Sequence, residues 1–138
     1  FRIAEVLVLL CFFRKDYAIS LIIGCFIANM FSGFGIIDVI FGTLHTAISV
    51  FLISRSKNLF VASLYPTFFM FIIIIPLYLV GALGESIEAL LSASLFFMIS
   101  EFIVVSVIGL SLFSLLRKRE QFMVAIEANQ NIGGNYDV

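Results

Sequence analysis

The sequence is poor in charge, in histidine and in cysteine, and it has no tryptophan. Only 12% of its 138 residues are Asp, Glu, Lys or Arg, with one His, two Cys and two Pro. A soluble domain carries about 25% charged residues, so this composition excludes a globular soluble enzyme, a nucleic-acid-binding domain and a disordered linker. Cys11 and Cys25 lie apart in apolar runs and indicate neither a metal site nor a disulfide. The net charge of -1 points to no charged partner.

The chain is rich in apolar side chains, which form long hydrophobic segments. Hydrophobic residues make up 62% of the chain, 17 of them Phe, and the mean hydropathy is +1.19. Because a membrane-spanning helix needs about 20 apolar residues, we predict an all-α membrane bundle of about five to six transmembrane helices over residues 1–120, followed by a polar tail at 121–138. The apolar segments are Ile3–Phe13, Tyr17–Phe31, Ile36–Ile53, Leu59–Leu83 and Ser86–Leu116.

Two of these segments have unusual lengths. The first is too short to span a bilayer and Phe1 is not an initiator methionine, so we expect the chain to begin inside a longer protein whose first helix is absent here. The last would measure about 46 Å as one straight helix, so we expect a break at Ser92–Ser94. At Pro76, which lacks a backbone donor, we expect either a kink or a neighbouring group that satisfies the freed carbonyl.

The basic residues are distributed unevenly between the turns. If the segments alternate in direction, seven of the eight basic residues fall on one side, and Arg2 is the exception. The positive-inside rule then predicts a protein of the cell membrane with a cytoplasmic carboxyl terminus. The clusters on that side are Arg14/Lys15, Arg55/Lys57 and Arg117–Arg119, whereas Asp38, Glu85 and Glu88 fall on the other.

Four ionisable residues lie inside predicted spanning helices, where each costs about 2.5 kcal/mol or more and usually faces a cavity or a partner. They are Glu5, Asp38, His45 and Glu101. Glu88, at the start of the last segment, is interpreted as a solvated loop charge. Glu101 is the sharpest signal, since it lies about 24 Å along a helix from Arg117. It is either a protonated carboxyl, a partner of Arg2, or an acceptor for the N–H groups of a ligand.

The other candidates also have two interpretations each. Glu5 lies one helical turn after Arg2, so this pair forms either an internal salt bridge or part of a ligand site. Asp38 either complements the dipole of the helix that it begins or contacts substrate. His45 is either a packed hydrogen-bonding group or a ligand residue, and Asn29 either joins two helices or binds ligand.

Several stretches resemble the QueT family, whose members are substrate-binding S components of energy-coupling-factor (ECF) importers for queuosine precursors. The resemblance covers residues 1–120. It implies a six-helix bundle with cytoplasmic termini, a ligand pocket near the extracellular side, and docking onto a transmembrane coupling subunit driven by two ATPases. The matching stretches are Phe1–Glu5, Gly24–Asn29, Gly35–Leu44, Ser100–Phe102 and Gly109–Leu110.

The resemblance also implies a ligand chemistry. A 7-deazaguanine presents N1–H and an exocyclic amine as adjacent donors, which a carboxylate accepts in a forked geometry. Glu5 and Glu101 are the candidates for that contact, and Asn29 suits the carbonyl edge. The chain has no nucleotide-binding loop, so we expect no cofactor of its own, no enzymatic activity, and ATP hydrolysis by the partner subunits.

Two alternatives stay open at this point. The chain could be an S component for another vitamin-like heterocycle, such as a pterin or a thiamine-like ring, because the same carboxylates would serve those donors. It could instead be a non-transport membrane scaffold in which Arg2, Glu5, Asp38 and Glu101 form an internal polar network.

Overall fold

The computed structural model describes residues 3–84 and 86–125, and within these ranges the chain is helical with short turns and no strand. Arg2, Glu85 and the tail beyond residue 125 lie outside the described residues. The helices are α1 (Leu10–Phe13), α2 (Tyr17–Met30), α3 (Thr43–Arg55), α4 (Leu59–Phe68), α5 (Phe71–Leu79), α6 (Ile87–Glu101), α7 (Leu110–Leu116) and α8 (Glu120–Ala125). A 3-10 helix (Ile3–Leu9) precedes α1, and two π-helices precede α3 (Asp38–Gly42) and α7 (Phe102–Gly109).

These elements join into apolar segments that confirm the predicted helical membrane bundle. Three of them are long and apolar enough to cross a bilayer, namely Asp38–Arg55, Leu59–Leu79 and Ile87–Leu116. The helix Tyr17–Met30 is apolar but shorter. Large apolar side chains cover the outer surface, as lipid requires.

Neighbouring segments run in opposite directions. Helix α3 packs against α4, and the π-helix before α3 packs against α5, so these two segments are antiparallel. Likewise, α4 packs against the second π-helix and α5 packs against α6, so the last segment is antiparallel to the one before it. The turns after α1, α3 and α7 therefore lie together at one end, which we term the basic end. The turns after α2 and α5 lie at the opposite, acidic end, which carries Asp38 and Glu88.

The three segments that depart from α-helical geometry each carry or adjoin an acidic residue. Glu5 lies within the 3-10 helix, Asp38 begins the first π-helix, and Glu101 immediately precedes the second. Short π segments inside helices occur frequently at functional sites. The backbone irregularity thus coincides with the acids that the sequence singles out.

The predicted break at Ser92–Ser94 is wrong, since α6 runs through it without interruption. The hydroxyl of Ser92 donates to the carbonyl of Glu88 at 2.8 Å, and that of Ser94 donates to Leu90 at 2.7 Å. Both hydroxyls bond to carbonyls of their own helix, and α6 nevertheless stays continuous. The irregularity occurs after Glu101 instead.

The long Leu59–Leu79 segment is interrupted at Phe69–Met70 and not at Pro76, which lies within α5. The N–H of Met70 donates to the carbonyl of Thr67 at 3.3 Å, so it does not make the usual helical bond to Pro66. The Pro66 carbonyl is thereby available to another helix.

Two apolar clusters form the core. The larger one fills the half of the bundle near the basic end and is built mainly from the first, third, fourth and last segments, with Leu9, Cys11, Phe13, Val50, Ile53, Leu59, Val105 and Phe113 among its members. The smaller one lies towards the acidic end around Met70, Ile73, Ile74 and Leu77. The chain between these clusters supplies the buried polar side chains.

Candidate functional site

A polar layer separates the two apolar clusters and forms the candidate site. Its buried side chains come from three helical segments that pack against one another. In a membrane bundle, polar groups at this depth mark ligand pathways or interhelical hydrogen bonds. We define the polar layer as His45, Ser49, Ser63, Thr67, Glu101 and Ser106.

His45 joins α3 to α4. Its ring is 4% exposed, and its Nε2 lies 2.8 Å from the carbonyl oxygen of Pro66. A carbonyl only accepts, so Nε2 donates. The contact uses the carbonyl that the interruption at Phe69–Met70 releases, which favours the packed, hydrogen-bonding interpretation of His45.

Glu101 lies level with the Pro66–Thr67 stretch of α4. The hydroxyl of Ser106 donates to the carbonyl of Ser63 at 3.0 Å, which fixes the register between the antiparallel α4 and second π-helix. Thr67 lies four residues after Ser63, and Glu101 lies five residues before Ser106. In this antiparallel register, Thr67 is therefore opposite Glu101. The Glu101 side chain is 0% exposed, so its carboxyl group lies inside the bundle.

Thr67 has hydrogen-bonding capacity that the protein does not use within the described ranges. Its Oγ1 is buried without a hydrogen-bond partner there, as are the hydroxyls of Thr43 and Ser49. A buried hydroxyl with no partner costs about 1–3 kcal/mol. A ligand in the polar layer would recover that cost through these groups.

Glu5 approaches from the amino-terminal segment. The 3-10 helix packs along the second π-helix, and an added Cβ on Gly109 would lie 2.9 Å from Cδ1 of Leu9 and 3.5 Å from Cγ1 of Val6. Glu5 and Glu101 both lie on the acidic-end side of this contact. The structure therefore brings the two carboxylates to neighbouring segments of one region.

Asn29 belongs to a second polar group, between α2 and the Asp38–Arg55 segment. Its Nδ2 donates to the Cys25 thiol at 3.3 Å, and the Cys25 sulfur lies 3.0 Å from the Thr46 hydroxyl and 3.8 Å from the Gly42 carbonyl. The bond from Asn29 stays within α2, whereas Cys25 joins α2 to the Asp38–Arg55 segment. Asn29 also packs closely against that segment, since a Cβ on Gly42 would lie 2.6 Å from its Nδ2.

Asp38 is held by the turn that precedes it. The hydroxyl of Ser32 donates to the Asp38 carboxylate and accepts from the N–H of Phe34. These bonds tie Asp38 to the turn at the acidic end.

The structure distributes the predicted site residues over several elements. His45 and Glu101 belong to the polar layer, and Glu5 lies on the segment that packs along the second π-helix. Asn29 bonds to Cys25, Asp38 bonds to Ser32, and Arg2 is outside the described residues. The described residues contain no group of three or more His, Cys, Asp or Glu with metal-binding geometry. The layer offers the carboxyl group of Glu101 and several hydroxyls, which suit an uncharged or cationic heterocycle bearing N–H groups.

Sequence reasoning missed Thr43, Ser49 and Thr67. Ser49 follows His45 by four residues and so shares its face of α3. Thr67 follows Pro66, where a proline inside a helix signals an opening of the backbone. Both spacings are readable in the sequence, although an isolated hydroxyl among apolar residues is a weak signal.

The comparisons with known proteins give one match. A family model described as QueT transporter matches residues 1–118, which is most of the chain. No curated protein and no solved structure matches.

Proposed function

The chain belongs to the QueT transporter family, and on that premise we propose that it is the substrate-binding S component of an ECF-type importer that captures a queuosine precursor. The family match makes it a membrane transport protein. The cargo that we propose is a 7-deazaguanine, taken up at the extracellular side. The residues predicted to contact it are Glu5 and Glu101, with Asn29, Asp38, His45 and Arg2 as further positions.

The observation that carries this proposal is the position of Glu101. It is a fully buried acid at the junction of an α-helix and a π-helix, between two apolar clusters. A carboxylate there accepts two adjacent N–H donors, which the N1–H and amine edge of a 7-deazaguanine provides. The neighbouring Thr67 hydroxyl supplies a further donor or acceptor.

The proposed route to the site runs from the acidic end. The smaller apolar cluster lies on that side of the polar layer, and the larger one closes the basic end. With the basic end in the cytoplasm, as the positive-inside rule predicts, the ligand enters from outside and the carboxyl terminus is cytoplasmic. Release into the cell then needs movement driven by the coupling subunit and two ATPases.

Thermal shift of the detergent-purified chain tests the cargo. The probes are queuine, 7-cyano-7-deazaguanine and 7-aminomethyl-7-deazaguanine, with folate, thiamine and riboflavin as competing vitamins. A ligand that binds only the folded state increases the free energy of unfolding, by about 2.7 kcal/mol when its concentration is a hundred times Kd. This stabilisation raises Tm. We expect a shift with the deazaguanines alone.

Glu101→Gln provides the matched test of the site. It keeps the size of the side chain but replaces one acceptor by a donor, so the deazaguanine shift should disappear. The control is Glu88→Gln, the same change at an exposed position at the start of α6, which should retain the full shift. A Tm shift with folate or thiamine only would show that the cargo is a different vitamin. Equal deazaguanine shifts in the Glu101→Gln and Glu88→Gln variants would show that Glu101 does not contact the ligand.

Uptake measurements test the proposed partners separately. Cells that express the chain together with an ECF coupling subunit and its ATPases should accumulate labelled ligand, whereas cells with inactive ATPases should bind it without accumulation. ATP-independent accumulation by the chain alone would contradict the S-component assignment even if the ligand were correct.

A further inference from the structure

An apolar groove lies on the outer surface between α3 and α4. It encloses about 420 Å³, and only apolar atoms line it. Four of its residues recur along one face of α4, and it ends where the helix is interrupted at Phe69–Met70. The lining residues are Leu52, Val61, Leu64, Tyr65, Phe68 and Phe69.

Two basic residues lie in the chain segment that joins the two helices of the groove at the basic end. Arg55 ends α3 one turn after the groove residue Leu52, and Lys57 lies in the turn that leads into α4. Both side chains are exposed. The guanidinium of Arg55 lies over the Phe51 ring, 4.3 Å from its centroid, so it is held beside the membrane-facing surface.

The turn after α1 differs in its charge balance. There, Arg14 Nε lies 2.8 Å from the Asp16 carboxylate, so an acid within the turn offsets part of the positive charge. The 54–58 turn contains no acidic residue, and no carboxylate of the described ranges pairs with Arg55. Its guanidinium contacts the Phe51 ring but no carboxylate of those ranges, so its hydrogen-bond donors can bind an anion.

We propose that the α3–α4 groove is a binding site for an anionic phospholipid. One acyl chain lies in the groove, and the phosphate of the headgroup contacts Arg55 and Lys57. The groove exposes no polar atom that could bind a peptide backbone or a polar ligand. The positive charge at its basic end attracts an anionic headgroup more strongly than a zwitterionic one. Basic residues between transmembrane helices bind anionic headgroups in this way.

Native mass spectrometry of the detergent-purified full chain tests this site. Titrations compare dioleoyl-phosphatidylglycerol with dioleoyl-phosphatidylcholine, which share their acyl chains. We expect tighter retention of phosphatidylglycerol. In Arg55→Gln/Lys57→Gln its apparent Kd should rise roughly 20- to 30-fold, because each basic residue near an anionic headgroup contributes about fivefold.

Matched variants separate the groove from surface charge in general. Arg14→Gln/Lys15→Gln removes the same charge from another turn at the basic end and should leave the lipid preference unchanged. Val61→Trp fills the groove and should abolish phosphatidylglycerol binding, whereas Ile75→Trp, which adds the same ring to the exposed face of α5, should not. Glycerol 1-phosphate, which lacks acyl chains, should not compete.

Three results would overturn the proposal. Equal Kd values for the two lipids would show that the headgroup makes no specific contact. An equal loss of phosphatidylglycerol affinity in the Arg14→Gln/Lys15→Gln variant would show that surface charge in general attracts the lipid. Unchanged phosphatidylglycerol binding by Val61→Trp, in protein with the original helix content and Tm, would show that the lipid binds elsewhere.

Discussion

Gly109→Ala should destabilise the bundle at the contact between the amino-terminal segment and the second π-helix. The backbone itself accepts alanine, since Gly109 has φ -62° and ψ -49°. The added methyl group, however, would lie 2.9 Å from Cδ1 of Leu9, 3.5 Å from Cγ1 of Val6 and 3.5 Å from the carbonyl oxygen of Val104. Leu9 is fully buried and Val6 nearly so, so the neighbours have little room to move.

The magnitude follows from comparison with Gly24→Ala. Gly24 lies within α2, and a Cβ there would meet nothing within 4 Å. Both variants gain about 1 kcal/mol of helix propensity, which cancels in the comparison. Overpacking typically costs about 1–3 kcal/mol, so Gly109→Ala should be less stable than Gly24→Ala by that amount.

Thermal unfolding of the two variants in the same detergent measures the difference. With about 4 °C per kcal/mol for a chain between the two size classes, Gly109→Ala should melt roughly 4–12 °C below Gly24→Ala. Leu9→Val shortens the opposing side chain, so in Leu9→Val/Gly109→Ala the combined loss should be smaller than the sum of the single losses. Equal Tm values for the two glycine variants, or strictly additive losses in the double variant, would refute the close contact.

Three further predictions concern the polar groups. His45→Phe should lower stability by about 1–3 kcal/mol in thermal unfolding because it leaves the buried Pro66 carbonyl without its donor; an unchanged Tm would contradict that bond. Gly42→Ala should destabilise because its Cβ would lie 2.6 Å from Nδ2 of Asn29, and Asn29→Ala should relieve part of the loss in the double variant. Thr67→Val should keep or raise Tm without ligand but weaken deazaguanine binding about 3- to 15-fold by calorimetry, the value of one hydrogen bond; unchanged affinity would place Thr67 outside the site.

The segment order was predictable from hydropathy and charge alone. Lipid demands apolar runs of fixed length, and the turns that interrupt them carry Arg14, Arg55 and Arg117, so the helix ends near these residues follow from the sequence. The family resemblance drawn from short motifs such as Gly35–Leu44 is confirmed by the match over residues 1–118.

The buried faces were not predictable in the same way. Ile73 and Ile74 are buried, yet Ile75 is about half exposed, because lipid-facing and core-facing positions are equally apolar in a membrane bundle. Hydrophobic periodicity therefore carries little information about which side faces the core. The π-helix after Glu101 is hidden for the same reason, since a change of helical period leaves no mark in a uniformly apolar run.

The site was predictable in its acids but not in its connections. Glu5 and Glu101 stand out because a membrane tolerates few carboxylates. The bond from His45 to Pro66 depends on the interruption at Phe69–Met70, which arises from the packing of the whole segment and not from a local signal. Thr67 becomes a candidate only once the register between α4 and the second π-helix is known.

The division of the core into two clusters has a consequence for local unfolding. Because the polar layer interrupts the apolar contacts, the half near the acidic end is held mainly by its own small cluster around Met70 and Leu77, and the half near the basic end by a cluster several times larger. Opening of the first half would therefore expose little of the total buried surface, and its amides should exchange with solvent through an event of lower free energy than global unfolding. The half near the basic end should then keep the helices assembled while the other half opens.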